Sequence, residues 1–356
     1  MGQNGSAMKG VRMIETVLGP VPAATLGPTS MHDHVLADSA RLQRPGEQPP
    51  PPGPATVRPE TRDYLRRNML AFADNLRLDD PDAAVDELRA AAAAGQRALV
   101  ECTSWGLGPD HARLPDIARR SGMTIVVAYG TYIRATLPPE IAALDEDGLH
   151  ALFSVALEDA VPGTDYRAGL LGILGTTAGL PGAERGMLRA AAAAAAAAGR
   201  AGASVSVRLD PDARDGVAVL DELGRAGLPV ERVIFTNADE FLDAAYWREL
   251  SDSGATLEMC FGTEDVHLGR VHNPTDAERA RFFVDAVMAR PDARYVLGQS
   301  VWTKAQLARY GGHGYGRLLG AIVPELREYL GEERVEQMLV DEPRRLLDRG
   351  AGRPDA

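Results

Sequence analysis

Met31-His32-Asp33-His34 places two imidazoles one residue apart, about thirty residues into the chain. At the end of a strand, residues two apart point to the same side, so both rings can converge on one metal ion or one substrate. Neutral imidazole is a common metal ligand, and a metal-free ring titrates near neutrality and can move protons. The motif alone leaves these two chemistries open.

Something must carry that pair, and the rest of the chain supplies it. Short β-branched runs alternate with longer helical patterns, the signature of parallel βα units. Strands are expected at Thr29–His32, Arg97–Thr103, Thr124–Gly130, Gly169–Gly175, Ser204–Leu209, Arg232–Thr236, Ala255–Cys260 and Tyr295–Gln299. Runs such as Ile125-Val126-Val127-Ala128 do not alternate, as expected of strands covered on both faces. Asp80-Pro81 should open a helix that Gly95 ends, and Thr275 with Glu278 has the spacing of a capping box. The alanine tract 190–198 reads as a close-packed helix face. The Pro-rich stretch 45–59 reads as a long loop after the first strand.

Eight such strands favour one closed (β/α)8 TIM barrel over residues 13–350, with tails at 1–12 and 351–356, the first a disordered segment or an expression remnant. An open doubly wound sheet is the alternative, but no Gly-rich phosphate loop follows any strand. The chain has 356 residues, 45% hydrophobic and 25% charged, with a net charge of −12. That acidity speaks against nucleic acid or an anionic membrane as partner. Cys102 and Cys260 are the only cysteines, so no disulfide framework is expected and a cytoplasmic setting is the natural reading. Neither a secretory signal nor an apolar run of spanning length is visible.

In such barrels chemistry sits at the C-terminal strand ends. Those positions offer His32 and His34, Glu101 and Thr103, Tyr129 and Tyr132, Ile173 and Thr176, and Arg208. Asn237 and Asp239, Glu258 and Cys260, then Ser300, Trp302 and Lys304 follow. His111, His150, His267, His272 and His313 fall in helices or loops and are expected to be mostly solvated, although His267 or His272 could fold over the mouth.

Several separated motifs resemble the phosphotriesterase family of the amidohydrolase superfamily. They are Ile14-Glu15-Thr16-Val17-Leu18-Gly19-Pro20-Val21 leading through Leu26-Gly27 to the His-x-His, and Val100-Glu101-Cys102-Thr103 with Gly108-Pro109-Asp110. Ala168-Gly169 through Gly175-Thr176, Arg189-Ala190-Ala191-Ala192, Gly312-His313-Gly314-Tyr315 and Glu342-Pro343-Arg344-Arg345-Leu346 follow in order. The likeness runs from about residue 12 to 348. It implies a barrel holding two divalent metals, bridged by a fourth-strand lysine or glutamate. The His-x-His and an eighth-strand aspartate bind one metal, and histidines on strands five and six bind the other.

His32 and His34 match the first motif, with Asp33 where the family usually has Glu. The bridging position falls on Ile173, the two single histidines on Arg208 and Asn237, and the eighth-strand aspartate on Ser300. A bridging anion is what lets two dications sit close together, and isoleucine cannot supply one. No cofactor is therefore expected. The expected protein is an enzyme acting on a small anionic metabolite by metal-independent acid–base chemistry: hydrolysis, elimination, isomerisation or cyclisation. His32 and His34 would be catalytic, with Arg208, Asn237, Glu258, Ser300, Tyr129 and Trp302 binding substrate. The alternatives are a mononuclear zinc hydrolase of an ester, lactone or phosphoester, its zinc on His32 and His34, and a non-catalytic binding protein. A homodimer is allowed.

Overall fold

The computed structural model describes residues 12–199 and 201–350, so both extreme tails lie almost wholly outside the described residues. Eight parallel strands form one sheet in sequence order: β1 Thr29–Asp33, β2 Ala98–Glu101, β3 Thr124–Tyr129, β4 Leu170–Gly175, β5 Val205–Arg208, β6 Val233–Thr236, β7 Thr256–Cys260 and β8 Arg294–Gly298. Closure is made just past β8. The Ser300 N–H donates to the His32 carbonyl at 2.8 Å, and the His34 N–H donates to that of Val301 at 3.0 Å. The sheet is a closed TIM barrel, and every expected strand is present within a residue or two of its expected ends.

Strand parity assigns the two faces. Ile125, Val127 and Tyr129 of β3 point outward into the main core, where they meet Leu114, Ile117 and Phe153 from the surrounding helices. Val126 and Ala128 point inward and pack with Ala98, Val100, Leu170, Ile234 and Val296 to fill the barrel. The filled interior makes the barrel a solid support rather than a pore.

Helices follow local chemistry. α1 (Pro81–Ala93) starts where the Asp80 carboxylate accepts from the Asp82 and Ala83 N–H groups. α2 is Leu114–Ser121, and α3 is Glu146–Glu158. α4 (Gly182–Ala197) carries the alanine tract, buried against α3 and the next helix, α5 (Gly216–Arg225). Alanine lets those axes approach closely. α6 is Ala244–Asp252, α7 (Asp276–Ala289) begins with the Thr275/Glu278 capping box, and α8 is Val323–Leu330. No helix among the described residues is long and apolar enough to cross a membrane.

The two ends of the barrel differ. At the bottom, Ile14 and Leu26 pack with Leu346 and the interior cluster. Arg344 donates to the Leu26 carbonyl at 2.6 Å, and the Ser204 hydroxyl donates to that of Leu346 at 2.7 Å. Over the mouth, the insertion between β1 and α1, including the Pro-rich loop, forms a roof. The Met69 N–H donates to the Val266 carbonyl at 3.0 Å, and the Val266 N–H to that of Arg66 at 2.9 Å. His267 was expected to be solvated unless it folded over the mouth. It is 3% exposed, accepting from the Leu70 N–H at 3.2 Å and donating to the Pro45 carbonyl at 3.1 Å. It thus joins the loop after β7 to the roof. His111 is also buried, against Tyr129, contrary to expectation.

Candidate active site

β1 ends by turning both imidazoles into the barrel mouth, their Nε2 atoms 3.3 Å apart. Gly298 of β8 passes directly behind them. A Cβ there would stand 2.9 Å from the His32 Cβ and 3.0 Å from the Cys260 sulfur, so only glycine leaves room for the pair. His32 is 1% exposed and His34 4%.

Each ring is held from its far side. His32 Nδ1–H donates to Glu258 Oε1 at 2.8 Å, and the Thr236 hydroxyl, 2.7 Å from the same nitrogen, donates to that carboxylate too. The Cys260 thiol adds a third bond to Glu258 Oε1 at 3.1 Å. His34 Nδ1 lies 3.1 Å from the Thr103 hydroxyl oxygen, and that hydroxyl donates to Glu101. Glu101 also accepts from the Val35 and Thr103 N–H groups, each at 3.1 Å.

These surroundings drive the two rings apart. Burial pulls His32 down, but the Glu258 charge and hydrogen bond outweigh it, with Asp33 and Asp239 adding, so His32 titrates above its ordinary value. Burial and then the His32 charge hold His34 well below it. Burial favours a neutral Glu258, yet His32 and the hydrogen bonds bring it below the usual carboxylate range. Burial pushes Asp33 and Glu101 each up to about 7.

A second polar group lies at the ends of β5 and β6. Arg208 Nη2 donates to Glu240 Oε2 at 3.1 Å, and Asn237 Nδ2 donates to Glu240 Oε1 at 3.0 Å. The guanidinium lies 6.0 Å from the centre of the Tyr132 ring, and its buried Nε has no partner. A cleft next to Asn237, lined by Asp210, Arg214, Phe241 and Tyr246, opens between the loops after β5 and β6.

Not every expected residue serves as anticipated. Tyr129 faces the outer core, its hydroxyl accepting from the Trp105 indole at 2.7 Å; strand parity with Ile125 and Val127 explains this. Glu258 points at His32, with no open face for a substrate. Ser300 lies in the closing backbone with φ +50°, and Trp302 packs under the roof against Met69, Leu70 and Leu76. Lys304, expected on a mobile surface loop, is ion-paired with Asp74 at 2.8 Å and Asp79 at 3.3 Å. Thr236 and Glu240 are participants that sequence reasoning did not select. Thr236 could have been found, because it shares the inward parity of Ile234.

The donor set can be tested against metals. Ile173 is 2% exposed within the apolar interior, and Arg208 brings a fixed positive charge to the mouth. A bridged two-metal centre does not fit these residues. Among the described residues, the one set of three His, Cys, Asp or Glu ligand atoms within 4.8 Å of one another is His32, Glu258 and Cys260. Its atoms are already bonded to each other, and burial followed by the Glu258 charge pushes the Cys260 thiol well up.

This cluster of buried titratable groups stands at the C-terminal end of the barrel, where TIM-barrel enzymes carry their active sites. Comparison with known proteins sharpens the class. The model of the phosphotriesterase family matches residues 12–347, and the chain belongs to that family. N-acetyltaurine hydrolase of Homo sapiens is 29% identical over 346 residues, covering 94% of this chain and 97% of the relative. The hydrolase of that name from Tetraodon nigroviridis is 28% identical over the same coverage. The crystal structure of a resiniferatoxin-binding protein from Rhodobacter sphaeroides superposes with TM-score 0.88 at 29% identity, covering 97% of this chain and 98% of the other. A lactonase from Listeria monocytogenes shares the fold, with TM-score 0.73, 18% identity and coverage of 94% and 98%. This protein is an enzyme of the hydrolase type, acting on a small molecule.

Proposed function

We propose that the enzyme hydrolyses a small anionic amide or ester by acid–base chemistry at His32 and His34, without a metal. The observation that carries this reading is the unequal pair: two facing Nε2 atoms, one on a ring that Glu258 raises above its ordinary value and one on a ring that burial holds well below it. Groups pushed apart in this way suit the acid and base roles of one reaction. As substrate and water enter between the two rings and part their Nε2 contact, neutral His34 takes a proton from the attacking water at Nε2, and cationic His32 gives its Nε2 proton to the leaving group. Glu258 and Thr236 hold the His32 ring rather than binding substrate. Arg208, with its bare Nε, and Asn237 would receive the anionic group. The relatives' named substrate is an amide bearing an anionic group, which agrees with this class. The two buried thiols suit a reducing cytoplasm.

One observation favours a mononuclear alternative. Two ligands about 2.0–2.1 Å from a tetrahedral zinc lie about 3.3 Å apart, close to the observed Nε2 separation. His32 and His34 would hold such an ion, which would supply an activated water. Elemental analysis of protein purified without chelator, combined with turnover of N-acyl amino sulfonates and carboxylates, separates the readings. Turnover with far less than one metal per chain is expected. Activity that tracks one bound ion would overturn the metal-free reading.

A further inference from the structure

The backing of His34 differs in kind from that of His32, and hydrogen-bond accounting shows what it does. A threonine hydroxyl has one proton and can also accept. Thr103 Oγ1 faces two neighbours, Glu101 Oε1 and His34 Nδ1, the latter at 3.1 Å. Glu101 is the end of the chain. It receives the Val35 N–H, the Thr103 N–H and the Thr103 hydroxyl, three donors converging on one carboxylate. An ionised carboxylate only accepts, so the hydroxyl proton goes to Glu101. The lone pair left on Thr103 then requires a proton on His34 Nδ1.

We infer that Thr103 and Glu101 act as positioning residues: with Glu101 ionised, they lock the His34 proton onto Nδ1 so that an Nε2 lone pair faces His32. The other end of the ring agrees. His32 is committed through Nδ1–H to Glu258, so an Nε2–H there has His34 Nε2 as its acceptor at 3.3 Å. Protons in this chain then point one way, from Thr103 to Glu101 and from His34 to Thr103. Both residues are buried on the far side of His34, so their effect passes through it. A base needs that lone pair and so does a metal ligand. The inference therefore stands on this geometry and not on the choice between the two hydrolytic readings.

Long-range 15N–1H correlation spectra of histidine-labelled protein test it, at a pH above the value of about 7 to which Glu101 is pushed. The His34 resonances are identified by their loss in His34→Gln. Wild type should show His34 protonated on Nδ1 and bare or liganded on Nε2. Thr103→Val should abolish that preference, and Thr103→Ser, which keeps the hydroxyl, should restore it. In turnover, Thr103→Val should lower kcat about 10–100-fold, as for other residues that orient an imidazole, with KM little changed and Thr103→Ser rescuing. A wild-type His34 carrying its proton on Nε2 overturns the inference, as does an unchanged tautomer in Thr103→Val. Should the valine variant fail to fold, the wild-type spectrum still decides. The tautomer is read without substrate, so a failure of the proposed hydrolysis and a failure of this inference are separate results.

Discussion

His32 and His34 are the same residue type on the same strand, with Nε2 atoms in contact, yet their backings differ. A carboxylate touches His32 directly, at 2.8 Å. A hydroxyl stands between His34 and its carboxylate. Direct contact puts the anion's charge on the ring and favours the cation, whereas the intervening hydroxyl transmits orientation with little charge. Two imidazoles two residues apart can thus be driven to opposite sides of their ordinary value by changing what stands behind each ring.

Removing the better-anchored ring should be the most damaging test. His32→Ala is expected to lower kcat roughly 10²–10⁴-fold, the usual worth of a positioned acid or base, with the fold intact by circular dichroism. Unchanged turnover would dismiss the whole scheme. The next test attacks the difference itself. Glu258→Gln removes the charge that raises His32, so the alkaline limb of the pH–rate profile should move to lower pH. Stability carries the same signature. A histidine with a raised folded-state value contributes fully below 6.5 and loses that contribution as pH rises through the folded value. That loss, followed by Tm against pH, should vanish in the variant.

A smaller effect is expected at Arg208. Arg208→Lys keeps the charge but not the fork, and should weaken binding of anionic substrates by roughly 1.5–3 kcal/mol, read as KM, while neutral analogues are spared. The last test is Asp33→Asn, between the two histidines in sequence. Asp33 Oδ2 is buried without a partner, and burial pushes the carboxyl up to about 7. A raised carboxyl gives stability that is present at low pH and lost as pH rises through that value. The variant should therefore gain on wild type as pH rises towards 7, and not in acid. A gain independent of pH would show that Asp33 stays charged throughout.

Much of this arrangement is readable in the chain. Buried parallel strands announce themselves as unbroken apolar runs, and Asp80-Pro81 and Thr275-x-x-Glu278 mark helix starts by chemistry local enough to survive folding. The histidine pair is equally visible, as is the absence of a metal-binding side chain at Ile173. What a side chain meets across the barrel is less so. Glu258 was legible as a polar group at a strand end, but only closure brings β7 beside β1 and turns it from a substrate ligand into the anchor of His32. Tyr129 misled because a tyrosine at a strand end invites a chemical role; parity, read two residues back, sends it to the outer core. Thr236 carries no motif, and Thr103 stands in one without showing its role, since a hydroxyl gains meaning only from its two neighbours.

The roof has a consequence for solvent at the site. Backbone ties from Met69 and Val266, with both nitrogens of His267 used, rivet the insertion to the rim at several points along its length. A canopy fastened this way does not swing on one hinge. With His32 and His34 only 1% and 4% exposed, the fastened insertion keeps bulk water away from the imidazole pair.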